Sequence, residues 1–191
     1  MILNDNEISK LCRATSGMIS PFILTQCNTT EFGKKIISRG LSSFGYDATL
    51  DTIFRVFSSE LNPTGLIDPK KLDTDCYTEV STYDPLVIAP HGFILASTVE
   101  YFRIPDDVVA LCVGKSTYAR CGLVVNVTPL EPGWEGYVTL ELSNTSPYPL
   151  VVYPLEGICQ FLFFRGNPPL TNYRDRNGKY NKQMTITNPI V

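Results

Sequence analysis

The chain has 191 residues, 43% of them apolar, and a formal net charge of −3. That length and apolar content suffice for one domain that buries roughly 70% of its unfolded surface. The pI near 5.2 does not favour a nucleic-acid polymer as partner, so an anion would need a local group of cations and backbone N–H groups. We therefore expect a single domain over residues 1–191.

Membrane insertion and secretion are also disfavoured. No apolar run approaches the roughly 20 residues that a membrane-spanning helix needs. The first ten residues, MILNDNEISK, lack the basic start and apolar segment of a signal peptide. The sequence thus predicts a cytoplasmic protein with no membrane partner.

Histidine and cysteine are placed in a way that disfavours a metal site. His91 is the single histidine and lies in a predicted turn, and the six cysteines are scattered without a C-x-x-C pair. This scatter disfavours a disulfide framework or a structural zinc site, and the H-x-E with P-C-x-x-C pattern of zinc deaminases is absent from the sequence. We expect buried, reduced thiols and no protein-bound metal.

The chain begins with a predicted short helix and continues as β-structure. Asn4 or Asp5 can cap the helix. Ile8, Leu11 and Cys12 fall on one helical face. Beyond it, proline and glycine separate short apolar runs without intervening helical periods, which predicts an all-β fold with minor helices, an antiparallel sandwich or barrel. The predicted strands are Asp47–Leu50, Thr52–Phe57, Pro85–Ile88, Gly92–Val99, Val108–Val113, Leu123–Val127, Gly136–Leu142, Leu150–Tyr153 and Ile158–Phe164.

The segment that follows the predicted strand at Val108–Val113 has an anion-binding character. Its start, GKST, resembles the end of a P-loop, but Val109 stands where that motif needs glycine and no parallel sheet is predicted. Residues 116–120 can form one helical turn whose unpaired N–H groups favour an anion, with Lys115 and Arg120 adding positive charge. The alternative is an exposed turn with solvated cations.

Glu141 lies within a predicted strand. Because side chains alternate along a strand, Leu140 and Leu142 face one side and Thr139 and Glu141 the other. The carboxylate therefore either lies on a solvated face or lines a polar pocket, and its strand alone does not decide between them.

Several separated blocks resemble one known family. They are Leu41–Asp47, Gly114–Asn144, Glu156–Gln160 and the tail residues Tyr173, Lys179, Tyr180 and Gln183. Together they resemble dCTP deaminases over nearly the whole chain beyond the first helix. The resemblance implies the dUTPase-type fold, a distorted β-barrel related to a jelly roll, assembled as a homotrimer with nucleotide sites at subunit interfaces.

The resemblance also implies a reaction, the hydrolytic deamination of dCTP to dUTP and ammonia without zinc. Glu141 would be the general acid and base, with its pKa raised by burial. Ser116 and a backbone group near Thr128 or Pro129 would position the water, and Arg120 would stand beside the glutamate. Mg²⁺ would be bound through the substrate triphosphate, and dTTP would be a feedback inhibitor.

A larger set of residues would bind the nucleotide by the same resemblance. The polar tail, about residues 167–191, would be flexible and would close over the ligand. The 128–134 loop is shorter than in some members, and Asn126 stands where some have histidine. Trp134 either stacks near the sugar or plugs a β-turn. The implied nucleotide-binding residues are Lys115, Ser116, Thr117, Tyr118, Ala119, Arg120, Thr139, Leu140, Glu141, Gln160, Tyr173, Lys179 and Gln183.

Two other functions compete with deamination. One is a dUTPase, or a bifunctional enzyme that also releases pyrophosphate from dUTP. A dUTPase would be expected to end in a glycine- and serine-rich tail, whereas residues 181–187 read NKQMTIT. The other is a non-catalytic β-barrel that binds a nucleotide. The joint presence of Ser116, Arg120 and Glu141 disfavours it.

Overall fold

The computed structural model describes residues 1–57, 65–71 and 76–190. These residues form two short helices and twelve strands. In chain order the elements are α1 (Asp5–Arg13), β1 (Ile19–Ser20), β2 (Cys27–Thr29), β3 (Lys35–Leu41), β4 (Tyr46–Phe57), β5 (Tyr77–Ser81), β6 (Leu86–Ile88), β7 (Phe93–Arg103), β8 (Val108–Gly114), α2 (Ser116–Ala119), β9 (Leu123–Asn126), β10 (Glu135–Asn144), β11 (Leu150–Val152) and β12 (Gly157–Arg165).

Ten of the strands form one curled sheet, and β6 pairs with β11 in a second, two-stranded sheet. The main path runs β2-β3-β4-β7-β10-β9, while β12 pairs with both β4 and β8. β8 pairs antiparallel with β12, so the strand before GKST is not part of the parallel sheet that a P-loop requires. The predicted mostly β fold is confirmed.

The N-terminal helix forms as predicted. The Glu7 backbone N–H donates to the Asn4 side chain at 3.1 Å, and the Asn4 N–H donates to the Glu7 carboxylate at 3.2 Å, which is a capping box. Ile8 is fully buried, and Leu11 and Cys12 pack against the core at the edge of the same face. The helix thereby contributes Ile8 to the core.

The core is built from the long central strands. Phe54 of β4, Phe102 of β7 and Phe161 of β12 have no exposed surface, and the rings of Phe102 and Phe161 lie 4.7 Å apart. Burial of each such side chain stabilises the fold by about 1.5–3 kcal/mol. Strands β4, β7 and β10, which carry the cavity described below, therefore rest on a fully packed layer.

The strand predictions were partly wrong. The two strands predicted at 47–50 and 52–57 are one strand, β4, in which Asp51 lies at a register shift of the pairing with β7 between Leu50 and Phe54. Four short or half-exposed strands, β1, β2, β3 and β5, were not predicted. Most residues of β3 are partly buried and most residues of β5 are exposed, so their sequences lack the apolar alternation that predicts a strand.

The tail lies against the start of β10. The Tyr137 N–H donates to the Gln183 carbonyl at 2.9 Å, and the Lys182 N–H donates to the Glu135 carbonyl at 2.7 Å. Gly136 permits this approach, since a Cβ at its φ of +152° would lie 2.8 Å from the Gln183 nitrogen. Further along, Ile186 is buried. The predicted flexibility of this segment before nucleotide binding stays a prediction.

The prediction of buried thiols is correct for Cys76 and Cys159 but wrong for Cys121, which is exposed. Within the described part of the chain, none of the six cysteines is in a disulfide bond. His91 lies in a turn, with a φ of +55°, as predicted. No helix among the described residues has the length and apolarity needed to cross a membrane.

Candidate active site

A cavity of about 1160 Å³ opens beside strands β4, β7 and β10. Apolar side chains supply most of its wall, including Leu95 of β7 and Val127 after β9. Such a cavity is large enough for a small organic ligand. Its polar lining comes from the 128–134 loop, β10 and the tail: Thr128, Glu131, Thr139, Glu141, Tyr173, Tyr180, Gln183 and Thr187.

Glu141 lies on β10, which is paired on both edges. It stands opposite Leu95 on β7 and Asn126 on β9. Leu140 and Leu142 on the other face are fully buried in the core, so the predicted alternation is confirmed and Glu141 lines the cavity. The sequence alone left a solvated face open as the alternative.

The Glu141 carboxyl is unusual in its surroundings. Its Oε2 atom is buried and has no hydrogen-bond partner among the described residues. Burial raises the pKa of Glu141 to about 7, because the apolar wall disfavours the charged form. A carboxyl group of this kind is half-ionised near neutral pH, so it can both accept and donate a proton.

Three aromatic residues attach the tail to the rim of the cavity. The Trp134 indole N–H donates to the Tyr180 carbonyl at 2.7 Å, and the Tyr180 N–H donates to the Tyr173 hydroxyl at 3.0 Å. Trp134 is only 5% exposed. It is therefore buried at the turn and also anchors the tail.

Thr139 joins the tail to the cavity floor. Its hydroxyl donates to the Gln183 side-chain oxygen at 3.4 Å and accepts from the Thr187 N–H at 3.2 Å. The structure thus brings together four of the residues predicted as nucleotide-binding: Thr139, Glu141, Tyr173 and Gln183.

A second group of predicted residues lies around the end of β8. Gln160 of β12 pairs with Asp47 of β4 and with Val113 of β8. The Lys115 ammonium contacts the Asp47 carboxylate at 2.6 Å. The Gln160 amide donates to the Ser42 hydroxyl at 3.0 Å. Lys115 and Gln160 therefore belong to one polar cluster.

The predicted helical turn is present as α2. The Arg120 N–H donates to the Ser116 carbonyl at 3.1 Å. Ser116, Thr117, Ala119 and Arg120 are exposed. Among the described residues, those from 115 to 120 do not line the Glu141 cavity. Within one chain the predicted site residues therefore form two groups.

Three predicted residues lie differently from the rest. Tyr118 turns inward: its side chain is buried and its hydroxyl accepts from the Tyr153 N–H at 3.1 Å. Leu140 is fully buried, so its backbone is the part left for a ligand. Lys179 is exposed on the tail.

Sequence reasoning missed two contributors. Thr187 lines the cavity, and no pattern in the polar tail distinguished it from its neighbours. Asp47 carries the Lys115 contact and is 2% exposed. The sequence did indicate that Asp47 is special, because a carboxylate inside an apolar strand needs a partner. It did not indicate that Lys115 is that partner.

The fold and the cavity place a buried carboxyl group with a raised pKa in a largely apolar pocket on a curled β-sheet, which is typical of an enzyme site. A family model described as dCTP deaminase-like matches residues 2–166. The chain belongs to this dCTP deaminase-like family, so the resemblance stated from the sequence is confirmed.

Individual relatives agree with this membership. The chain is 50% identical over 192 residues to a dCTP deaminase of Orientia tsutsugamushi (strain Boryong), covering 100% of this chain and 99% of that protein. It is 53% identical over 176 residues to a dCTP deaminase of Anaplasma marginale (strain Florida), covering 92% and 91%. The crystal structure of 2′-deoxycytidine 5′-triphosphate deaminase from Agrobacterium tumefaciens is similar in fold, with a TM-score of 0.58 at 19% identity over 86% of this chain and 46% of that chain.

Proposed function

We propose that the protein is a dCTP deaminase that hydrolyses dCTP to dUTP and ammonia. The observation that carries the proposal is the Glu141 carboxyl, buried at Oε2 without a hydrogen-bond partner among the described residues and with a pKa of about 7. Hydrolysis of an aromatic amine needs one group that first takes and then returns protons. Identity of 50% over the full chain to a dCTP deaminase supports the choice of substrate.

In the proposed reaction Glu141 acts twice. Ionised Glu141 takes a proton from water as the water oxygen bonds to C4 of the cytosine ring, and it passes that proton to ring N3. It then takes the proton of the new C4 hydroxyl and delivers it to the amino group. The C4–N bond breaks, ammonia leaves, and a uracil carbonyl remains, so that one water is consumed for each dUTP formed.

The complete site would be shared between subunits of a homotrimer. Glu141 lines the cavity, whereas Ser116 and Arg120 are exposed at α2, outside that cavity. A second copy of the chain would bring its α2 to the first copy's cavity, where Ser116 would orient the water and Arg120 would stand beside Glu141. Preorganised polar groups of this kind lower the barrier without a metal.

The substrate would be dCTP with Mg²⁺ bound by its triphosphate. The carboxylates that line the described cavity are Glu131 and Glu141, and Glu131 is ion-paired with Arg176, which leaves no carboxylate cluster to hold the ion. Independence from zinc is supported by the single histidine and the dispersed cysteines. dTTP, a similar pyrimidine nucleotide, would occupy the same cavity as a feedback inhibitor.

The test is to incubate the pure protein with Mg²⁺ and dCTP and to resolve dUTP, dUMP, pyrophosphate and ammonia. Equal amounts of ammonia and dUTP are expected. Additional dUMP and pyrophosphate would show the bifunctional activity. Pyrophosphate release from added dUTP, with no ammonia from dCTP, would show a dUTPase instead and would contradict the proposal.

A further inference from the structure

A buried ion pair joins Asp47 of β4 to Lys115, the residue just before α2. We propose that Asp47 is a positioning residue: it holds the Lys115 ammonium so that one N–H is directed at a phosphate oxygen of the nucleotide. This inference rests on the proposed function, because it assumes that Lys115 contacts the triphosphate.

The pair is short and almost fully enclosed. Lys115 Nζ lies 2.6 Å from Asp47 Oδ2, and the two side chains are only 10% and 3% exposed. The Gln26 amide donates to the same carboxylate oxygen at 2.6 Å. The Ser38 hydroxyl lies 3.4 Å from that oxygen. Asp47 is thus held by groups from several segments of the chain.

Stability alone does not account for such a pair. Removing two charges from water costs several kcal/mol per ion, and a well-packed apolar pair of similar volume is often equally stable or more so. We therefore attribute to the pair a role that an apolar contact could not fill, which is to hold the Lys115 ammonium in a fixed orientation. The pair lies beside Gln160, another predicted nucleotide-binding residue that pairs with Asp47 across the strands, which indicates that this role serves the ligand site.

The donors of Lys115 can be counted. An ammonium has three N–H groups. Asp47 accepts one, and the Ser38 hydroxyl accepts another at 3.1 Å from Nζ. One N–H remains for a ligand, and its direction is set by the other two. Because Asp47 neutralises the charge, Lys115 would supply an oriented hydrogen bond, while Arg120 and Lys179 would supply the net positive charge.

The experiment is Asp47→Asn, which keeps the shape of the side chain and removes its charge. Lys115 should lose its fixed orientation, so the KM for Mg²⁺-bound dCTP should rise about 10- to 100-fold, the range for one hydrogen bond to a charged group. The kcat should change by less than about threefold, since Glu141 is untouched. Asp47→Glu, which restores the charge, should recover part of the affinity.

The matched control is Asp107→Asn. It breaks another aspartate–cation pair, Asp107 with Arg165 at 2.9 Å, which lies outside the cavity and the polar cluster. Its KM should equal that of the unaltered protein. An Asp47→Asn variant with a lower melting temperature but an unchanged KM would show a purely structural pair and would overturn the proposal.

Lys115→Gln provides a second test that also applies if Asp47→Asn fails to fold. It should raise the KM as much as Asp47→Asn, and the double variant should be no worse than either single one, because both remove the same contact. An unchanged KM for Lys115→Gln, or fully additive effects, would overturn the proposal. Calorimetric titration with Mg²⁺-bound dCTP distinguishes failure of this inference from failure of the proposed deamination. If the protein releases no ammonia but Asp47→Asn still weakens dCTP binding, only the proposed reaction is contradicted.

Discussion

Among the residues that the structure describes, Glu141 is the one carboxylate with a buried oxygen that has no hydrogen-bond partner. Glu100 is more deeply buried, and burial raises its pKa as well, but it accepts hydrogen bonds from the Tyr46 hydroxyl and from the Thr49 hydroxyl and N–H. Glu100 therefore ties β4 to β7. Glu141 has its unpartnered oxygen in the cavity instead, which suits proton transfer.

Glu141→Gln should abolish turnover and retain nucleotide binding. Glutamine keeps the shape of the side chain but cannot transfer the proton, and loss of a general acid or base costs about 100- to 10,000-fold in rate. Ammonia release measures the first effect and calorimetry with dCTP the second. Glu79→Gln, on an exposed part of β5, is the control. Near-normal ammonia release by Glu141→Gln would refute the assignment.

The pH dependence of the rate should follow the Glu141 carboxyl. The first proton transfer needs the ionised form, and burial raises the pKa of Glu141 to about 7. The kcat/KM for dCTP should therefore rise as the pH increases through about 7 and then level off. A profile that is already flat from pH 5 to 8 would show that this carboxyl does not limit the reaction.

The same pKa shift should appear in the stability of the fold. Because the folded-state pKa is raised, the contribution of Glu141 to stability is complete below its unfolded-state pKa and is lost as the pH rises through about 7. Glu141→Gln should therefore raise the melting temperature at pH 8 and leave it nearly unchanged at pH 4. Equal effects at the two pH values would contradict the burial that the structure shows.

For individual residues, the sequence predicted which face of a strand a side chain occupies but not which groups surround it. The alternation of side chains predicted that Glu141 and Leu140 point to different faces of the sheet, as observed. The choice between solvent and pocket depended on Leu95 and on the tail, which are distant in sequence. Tyr118 shows the same limit: it lies among exposed residues of α2, yet it is buried because Tyr153 comes close to its hydroxyl.

The tail is attached to the rest of the fold by side-chain hydrogen bonds, including the one from the Trp134 indole N–H to the Tyr180 carbonyl. Trp134→Phe should remove the indole hydrogen bond to Tyr180 and retain the buried ring. The expected cost is about 1 kcal/mol of stability, with faster hydrogen exchange in residues 173–183 and a higher KM for dCTP. The measurements are thermal unfolding, hydrogen exchange by mass spectrometry and steady-state kinetics.

Gly136→Ala tests the same attachment from the other side. A Cβ there would lie 2.8 Å from the Gln183 nitrogen, so the tail would be displaced with the indole intact. Both variants should change the exchange of the tail and the KM together. If the tail exchanges fast in both while the KM stays normal, the tail does not take part in nucleotide binding.

The elements could be predicted where burial is strong and regular. Strand β10 alternates through all ten residues, and α1 has its capping residues in sequence, so both were found. Most residues of strand β5 are exposed. Its place in the sheet comes from pairing with β4, which is a long-range interaction that local sequence does not encode.

For the whole molecule, mixed assembly tests whether the site is shared. Glu141→Gln and Arg120→Ala chains should each be inactive. If Glu141 and Arg120 of one site come from different subunits, co-refolding equal amounts should restore activity in about a quarter of the sites. Ammonia release and light scattering on the mixture measure the outcome. If one chain supplied both residues, every site would carry a lesion and no activity would return.

The division of the predicted residues into two groups could not be inferred from spacing. Ser116 and Glu141 are 25 positions apart, close enough to suggest one pocket, but the curl of the sheet separates α2 from the cavity. Only the resemblance to a family implied a site between subunits. The two separate groups and the exposed α2 are the structural observations on which the proposal of a shared site rests.

Strand β10 is hydrogen-bonded along both edges, and its irregular pairing with β7 is confined to the step between Tyr137 and Thr139. Beyond that step, inserting or deleting one residue would turn Leu140 or Leu142 into the cavity and Glu141 into the core. Under the proposed mechanism, such a change would abolish turnover as fully as Glu141→Gln. Length variation compatible with activity is therefore confined to the turns at the ends of β10, residues 127–134 and 145–149.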